Sequence, residues 1–178
     1  MQTCIGPSEE HVSMAGIPTE ASILDMVERA MPGRVQNVYA HSSGGGKFIA
    51  VIQFKKTVPS DEGRQRQAAL LAFSAFPELK QVILVDEDVD IFDTNDVLWA
   101  MTTRMQADVD IVTIPGVRCH PLDPSNDPAC SWSIRDHGIA CKTIYEATVP
   151  FNQKARFQRA KFMEVDVKKF LPDFTVQD

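Results

Sequence analysis

The chain has 178 residues, of which 44% are hydrophobic and 24% charged, values that predict one globular domain with a substantial core. Its formal net charge of −6 argues against a nucleic-acid backbone as partner, and its longest nearly apolar run, residues 67–76, is about half a membrane span. The four cysteines form no C-x-x-C pair, so we predict free thiols and a soluble cytoplasmic protein.

Hydrophobic periodicity and turn residues divide the chain into helices and strands. The predicted elements, in chain order, are a helix at 17–33, strands at 34–40 and 47–56, a helix at 60–79, a strand at 81–86, a helix at 93–105, strands at 108–116 and 141–150, and a helix at 151–165. This alternation predicts an α/β sandwich with a mixed, largely parallel central sheet, right-handed crossovers and flanking helices. The apolar run at 81–86 predicts a central strand covered on both faces. We predict a single domain over 1–178, in which 150–178 form a terminal helix and tail.

Short polar side chains mark the predicted starts of the helices. We expect Thr19 to cap the first helix, Ser60 or Asp61 the second, and Asp93 or Thr94 the third. Side chains of these types accept hydrogen bonds from the unpaired N–H groups of a first helical turn.

Five carboxylates crowd into residues 85–93, VDEDVDIFD. The D-x-D-x-D spacing superficially resembles a calcium loop, but such a loop needs Gly at its sixth position and Glu at its twelfth, where this chain has Ile91 and Val97. Because the acids follow a buried strand and precede a helix, we interpret them mainly as a solvated turn that caps the helix. A polar contact with another domain or subunit is the alternative, since sites collect at the carboxyl ends of strands in α/β sheets.

Two further motifs suggest chemistry at first sight. Residues 42–47, SSGGGK, look like a phosphate-binding loop, but their lysine leads into a strand and not a helix, so we predict a turn between strands. Cys119 and His120 are adjacent, whereas the partners of a thiolate–imidazole pair normally come together through the fold. His120 is nevertheless of interest, because it follows a strand predicted to be central and lies in a loop, 115–131, too long for a simple connection.

Aromatic residues indicate a contact surface. Trp99 lies on the polar side of its predicted helix, which suggests a protein interface, although a covering local loop is an equal alternative. The predicted terminal helix carries more apolar surface than it needs to cover itself, including Phe151, Phe157 and Phe162. We therefore predict a homodimer or higher homo-oligomer, or a helix that projects away from its own core.

Three blocks of sequence carry a resemblance to a known family. Residues 5–21 (IGPSEEHVSMAGIPTEA), 79–112 (LKQVILVDEDVDIFDTNDVLWAMTTRMQADVDIV) and 115–125 (PGVRCHPLDPS) resemble, in this order and spacing, the C-terminal domain of UbiD-type decarboxylases. The resemblance covers essentially the whole chain. It is strongest to the gallate and related hydroxybenzoate (phenolic acid) decarboxylases, and its most specific part is V-D-E-D-V-D-I with the following W-A-x-x-T-R.

The resemblance implies reversible, non-oxidative decarboxylation of gallate, protocatechuate or 4-hydroxybenzoate-like acids. The implied cofactors are prenylated FMN with a divalent metal (Mn or Mg) and K. In the family, an N-terminal region binds the flavin and metal, and a Glu-Arg-Glu constellation moves protons. We find no counterpart of these in the chain, so the resemblance implies the C-terminal third of the enzyme, with Met1 at an internal position. Such a chain would have no catalytic or metal-binding residue, would bind no cofactor by itself and would be inactive alone.

In such an enzyme this domain would close over the flavin and partner the N-terminal region of the same polypeptide. The residues that the resemblance implies would face cofactor and substrate are Ile17, Pro18, Thr19, Ile114, Pro115, Arg118, His120 and Leu122. His120 or Arg118 could hold a ring hydroxyl or the leaving carboxylate, and Ile17 or Leu122 would form a wall beside the ring. A stand-alone accessory or assembly subunit without chemistry of its own is the alternative.

Overall fold

A computed structural model describes residues 9–118, 120, 123, 125, 139–160 and 167–170. Its helices are α1 Glu9–Ala30, α2 Arg64–Ala75, α3 Thr94–Arg104, α4 Ala107–Asp110 and α5 Val167–Phe170. Its strands are β1 Val35–Ala40, β2 Ile49–Phe54, β3 Gln81–Asp86, β4 Ile111–Arg118 and β5 Ile139–Ala147. Short 3₁₀ turns occupy Ser42–Gly44, Pro59–Asp61 and Phe151–Arg156.

The strands form one five-stranded mixed sheet in the order β1-β2-β3-β5-β4. The three central strands run parallel to one another, and both edge strands pair antiparallel with their neighbours. This confirms the predicted mixed α/β sheet, with QVILVD as its middle strand.

The two faces of the sheet are buried under different helices. Alternate residues of β2 and β3 point to opposite faces, as the two-residue period of a strand requires. Ile52 and Leu84 lie in the larger core cluster with α1 and α2, whereas Val51 and Val85 lie in the second cluster with α3. All four side chains are fully buried, which explains why the two strands read as nearly continuous apolar runs.

The predicted helix starts are correct for α3 and wrong for α1 and α2. The side chain of Asp93 accepts a hydrogen bond from Asn95 N at 2.9 Å and so caps α3, as predicted. Thr19 lies inside α1, where its hydroxyl donates to Ala15 O at 2.7 Å, because the helix already begins at Glu9 and runs through Pro18. Asp61 ends a 3₁₀ turn, and α2 starts only after Gly63, whose left-handed backbone redirects the chain.

The strand before His120 lies at the edge of the sheet, which corrects its prediction as a central strand. β4 pairs only with β5, and the pairing shifts register between Ile114 and Val117. Pro115 lies at this shift and lacks an N–H, and Gly116 adopts a φ of +73°. Proline is confined to edge strands and bulges, so Pro115-Gly116 was the sequence signal for an edge.

The predicted terminal helix is also wrong where the structure describes it. Residues Phe151–Arg156 form a 3₁₀ turn and 157–160 are not helical, while 161–165 lie outside the described residues. Charged contacts explain the difference, because Lys154 donates to Glu87 at 2.9 Å and Phe151 N donates to Glu62 at 2.9 Å. These contacts hold the 3₁₀ turn against the end of the sheet.

Within the described residues, no helix is both long and apolar enough to span a membrane.

Candidate functional site

Three connections meet at the end of the sheet where β2 and β3 begin. We call the connection between β1 and β2, residues 41–48, the glycine loop. Its Phe48 O accepts hydrogen bonds from Lys80 N at 2.9 Å and Gln81 N at 2.8 Å, which ties it to the connection between α2 and β3. β4 runs towards the same end, because it is antiparallel to β5, and it delivers His120 there.

The first predicted cofactor-facing segment lies in α1, directly against the glycine loop. Gly16 is buried, and a Cβ added at Gly46 would lie 2.9 Å from Gly16 N and 3.0 Å from Gly16 Cα. The two backbones therefore touch at a point where only glycine fits. Ile17 is 69% exposed and Pro18 is also exposed, so the helix presents an apolar surface beside the loop, whereas Thr19 is fully buried.

Gly46→Ala should destabilise the chain more than Gly33→Ala does. Both glycines have a left-handed φ, of +67° and +72°, but an added Cβ at Gly33 meets nothing within 4 Å. We expect about 1 kcal/mol for Gly33→Ala from backbone strain and about 2–4 kcal/mol for Gly46→Ala, where collision with α1 adds to it. Urea unfolding of the two variants measures the difference, and equal losses would contradict the close packing of α1 on the loop.

The residues of the second predicted segment, 114–122, lie in two separate places. His120 is half-buried at the glycine loop, with its ring 5.9 Å from that of Phe48 between centroids and its Nε2 3.1 Å from Glu78 Oε1. Ile114 and Arg118 instead line a shallow groove of about 350 Å³ beside α2, together with Leu70. Pro115 is exposed on β4, and Leu122 lies outside the described residues. The structure thus brings His120 and residues 16–19 to the same loop, and their roles stay predictions.

Sequence reasoning missed the residues that hold this loop in place. His41 Nδ1 accepts from Ser43 N at 3.1 Å, and its Nε2 lies 2.9 Å from Thr94 Oγ1, so the ring ties the loop to the start of α3. Burial lowers the pKa of His41, which favours the neutral ring that these contacts require. The turn prediction for SSGGGK is confirmed, but nothing in the sequence spacing shows that His41 reaches across 53 residues to Thr94.

The acid block, residues 85–93, begins at the opposite end of the sheet, where Asp86, Glu87 and Asp88 form ion pairs, and ends at Asp93 beside the start of α3. Arg104, 2% exposed, donates to Asp86 Oδ2 at 3.0 Å and to both oxygens of Asp88 at 2.8 and 2.6 Å. Asp86 is itself buried and accepts from Val149 N at 2.7 Å. Only Asp93 acts as the predicted cap. Among the described residues, no group of His, Cys, Asp and Glu could hold a metal ion.

Trp99 is covered in part by the chain's own C-terminal segment. Its ring lies between two guanidinium groups, with Arg159 Cζ at 4.1 Å and Arg104 Cζ at 4.9 Å from the ring centroid. Arg159 also donates to Asp96 Oδ2 at 2.9 Å. The side chain is still 37% exposed, so a contact with another protein surface stays a prediction.

The carboxylates of Asp88, in the acid block, and Asp96, in α3, should make the stability of the chain depend on pH below about 4. Burial raises the pKa of Asp88 and Asp96, but hydrogen bonds and charges from Arg104 and Arg159 outweigh it, so both pKa values fall below the ordinary 3.8. Their contribution is therefore complete above the unfolded pKa and is lost as the pH falls through the folded values. Burial raises the pKa of Asp86, which acts in the opposite sense.

Urea unfolding between pH 7 and pH 3 measures this dependence. We expect the free energy of unfolding to fall in the acid range, and to fall less in Asp96→Asn, which removes one of the groups whose pKa is lowered. An identical acid dependence in the variant would contradict the prediction.

Comparisons with known proteins agree on one family. Residues 12–147 match the family model of the 3-octaprenyl-4-hydroxybenzoate carboxy-lyase C-terminal domain. The gallate decarboxylase of Lactiplantibacillus plantarum is 61% identical over 96% of this chain and 35% of its own length. The chain therefore spans about a third of that relative.

Solved structures give the same result. The apo 3,4-dihydroxybenzoic acid decarboxylase of Klebsiella pneumoniae is 60% identical, with a TM-score of 0.85 over 96% of this chain and 35% of that one. A UbiD-class enzyme from Pelotomaculum thermopropionicum, solved in complex with FMN, is 33% identical, with a TM-score of 0.78 over 94% of this chain and 35% of that one. Since the family model covers most of the chain and the sheet is that of these enzymes, the chain belongs to the UbiD decarboxylase family, as its C-terminal domain.

Proposed function

We propose that this chain is the C-terminal lid and dimerisation domain of a decarboxylase that removes CO2 from phenolic acids of the gallate, protocatechuate or 4-hydroxybenzoate type. The proposal includes prenylated FMN, a divalent metal (Mn or Mg) and K as cofactors of the complete enzyme, and a cytoplasmic location. Identity of 61% to a gallate decarboxylase and 60% to a 3,4-dihydroxybenzoic acid decarboxylase supports the phenolic substrate class.

The observation that carries the proposal is the meeting of two distant segments at the glycine loop. Gly16 lies against Gly46, and His120 lies against Phe48, although the two segments are about a hundred residues apart in sequence. One end of the sheet therefore combines an exposed apolar surface at Ile17 and a polar, half-buried imidazole. Sites that bind aromatic ligands typically combine apolar walls with a few polar groups that fix orientation.

The described residues could form an apolar wall beside a cofactor, but they do not offer the groups that would anchor it. The exposed side chains of Ile17 and Pro18 could cover a flavin or an aromatic ring. A metal and a phosphate need carboxylates or concentrated donors, and the described residues contain no metal-binding group. The carboxylates of Asp86 and Asp88 are engaged by Arg104. We therefore assign the ligands of the metal, of K and of the flavin phosphate to the N-terminal region of the complete enzyme. The residues of this chain take part in no chemical step on these groups.

Within this proposal, the chain's own residues position the substrate and exclude water. His120 would hold a ring hydroxyl or the departing carboxylate, and Ile17 would cover the ring. Closure of an apolar surface over a carboxylate removes its hydration shell, which favours its conversion into neutral CO2.

Contact with a second copy of the enzyme is the other part of the proposal. Trp99 and Phe157 are 37% and 38% exposed, Phe151 is half-buried, and Phe162 lies outside the described residues. The ion pairs of Lys154 with Glu87 and of Arg159 with Asp96 hold residues 151–160, which include Phe151 and Phe157, against the same domain. Such a segment presents an ordered surface to the second copy.

A chimeric decarboxylase tests the catalytic part. In it, this chain replaces the matching third of the Lactiplantibacillus plantarum gallate decarboxylase, and flavin-loaded enzyme is assayed with gallate and protocatechuate. We expect the chimera to release CO2, and the 178-residue chain alone to release none and to bind prenylated FMN weakly or not at all. Activity of the isolated chain would overturn the proposed division of labour.

A stand-alone accessory or assembly subunit is the competing function. It predicts a folded but inactive chimera and a native protein of this chain's own size. The exposed aromatics of the C-terminal segment are the observation in its favour. Analytical ultracentrifugation of the isolated chain adds to the comparison, because a monomer at high concentration would count against a role in dimerisation.

A further inference from the structure

Glu78 connects all the parts of the candidate site. It lies between α2 and β3, and its Oε1 is 3.1 Å from Nε2 of His120. Its other oxygen, Oε2, is 3.3 Å from Nζ of Lys47 in the glycine loop, a charge contact that is not aligned as a hydrogen bond. One carboxylate thus links the histidine to the loop on which α1 rests.

The surroundings of His120 give this carboxylate a directing role. The ring packs edge-on against Phe48, and the backbone oxygen of His120 accepts from Asp123 N at 3.1 Å. Asp123 is held in turn by Lys80 at 2.9 Å. These contacts hold the backbone and the plane of the ring, and Oε1 of Glu78 faces Nε2 at 3.1 Å.

We propose that Glu78 is a positioning residue that sets the tautomer and orientation of His120. A carboxylate accepts hydrogen bonds only, so the proposal places a hydrogen on Nε2. Around metal ions, a carboxylate that orients an imidazole in this way is a recurrent arrangement, and its loss typically costs about 10- to 100-fold in metal affinity or activity. The contribution of Glu78 to turnover rests on the proposed function; its effect on the ring does not.

Kinetics of the chimeric decarboxylase test the effect on turnover. We expect Glu78→Ala to lower kcat by about 10-fold with a smaller change in KM, and Glu78→Gln to recover part of the loss because its amide oxygen still accepts from Nε2. Asp25→Ala is the control, since Asp25 also pairs with a basic side chain, Arg29, at 2.9 Å, but lies nine residues beyond Gly16 on α1 and is exposed. It should retain the parental kcat.

A double variant shows whether Glu78 acts through His120. Glu78→Ala combined with His120→Ala should lose no more activity than His120→Ala alone, because the positioned group is already gone. If the two losses multiply in the double variant, or if Asp25→Ala lowers kcat as much as Glu78→Ala does, the proposal is overturned.

Nitrogen-15 NMR of the histidine rings in the 178-residue chain separates this inference from the proposed function. His120 should give the Nε2–H pattern, and Glu78→Ala should change it, even if the chimera proves inactive and the proposed function fails. An Nδ1–H pattern in the parent chain, or an unchanged pattern in Glu78→Ala, would overturn the assignment of Glu78.

Discussion

Replacing His120 with alanine in the chimeric decarboxylase should lower turnover by about 10- to 1000-fold, the effect of losing one polar contact of about 1.4–4 kcal/mol to a reacting group. The physical reason is the place of the imidazole, at the loop where α1 presents its exposed apolar surface. A half-buried, oriented ring stabilises a partial charge better than solvent does, because it needs no reorganisation. Steady-state kinetics with gallate, at full flavin occupancy, measure the loss.

His120→Phe controls for packing. It keeps a ring against Phe48 but removes both nitrogens, so it should lose turnover as His120→Ala does while staying closer to the parent in melting temperature. Wild-type turnover in both variants would show that His120 plays no part in catalysis. Normal turnover in His120→Phe alone would show that the ring only packs.

Local patterns were enough to predict most of the fold. β3 was predictable because an apolar, β-branched run bounded by polar residues has few other solutions in a soluble domain. Asp93 was predictable as a cap because its hydrogen bond to Asn95 N closes within two residues. The first turns of α1 were not predictable, because Pro18 argues for a helix boundary and the close approach of Gly16 to the distant Gly46 leaves no local pattern.

The candidate site was predictable only as a set of segments. The resemblance indicated residues 17–19 and His120, but not Glu78, Lys47 or His41. The partners in the contacts of these three residues are 31 to 53 positions apart in the sequence, so no local pattern shows them. The acid block shows the same limit. Its density of carboxylates is visible in the sequence, whereas the cation that binds Asp86 and Asp88, Arg104, could be recognised only once the position of α3 on the sheet was known.

Replacing Arg104 with methionine should destabilise the 178-residue chain by about 3–5 kcal/mol, the usual cost of breaking a buried ion pair from one side. The side chain of Arg104 is 2% exposed and makes three hydrogen bonds to Asp86 and Asp88, so its removal takes away one of the charges that compensate the buried Asp86 carboxylate. Lys154, whose Nζ lies 3.9 Å from Asp86 and also binds Glu87, compensates part of this charge, so we expect a loss near the lower end of the range. Urea unfolding, followed by far-ultraviolet circular dichroism, measures the loss.

Two further variants decide whether the loss is electrostatic. Asp86→Asn added to Arg104→Met should restore part of the stability, because a neutral amide costs less to bury than an unpaired carboxylate. Arg29→Met, which breaks the exposed pair with Asp25, should cost no more than about 0.5 kcal/mol. If Arg104→Met costs as little as Arg29→Met, the acid block is a solvated turn after all. If the double variant recovers nothing, the loss comes from the packing of Arg104 on Trp99 and not from the charge left on Asp86.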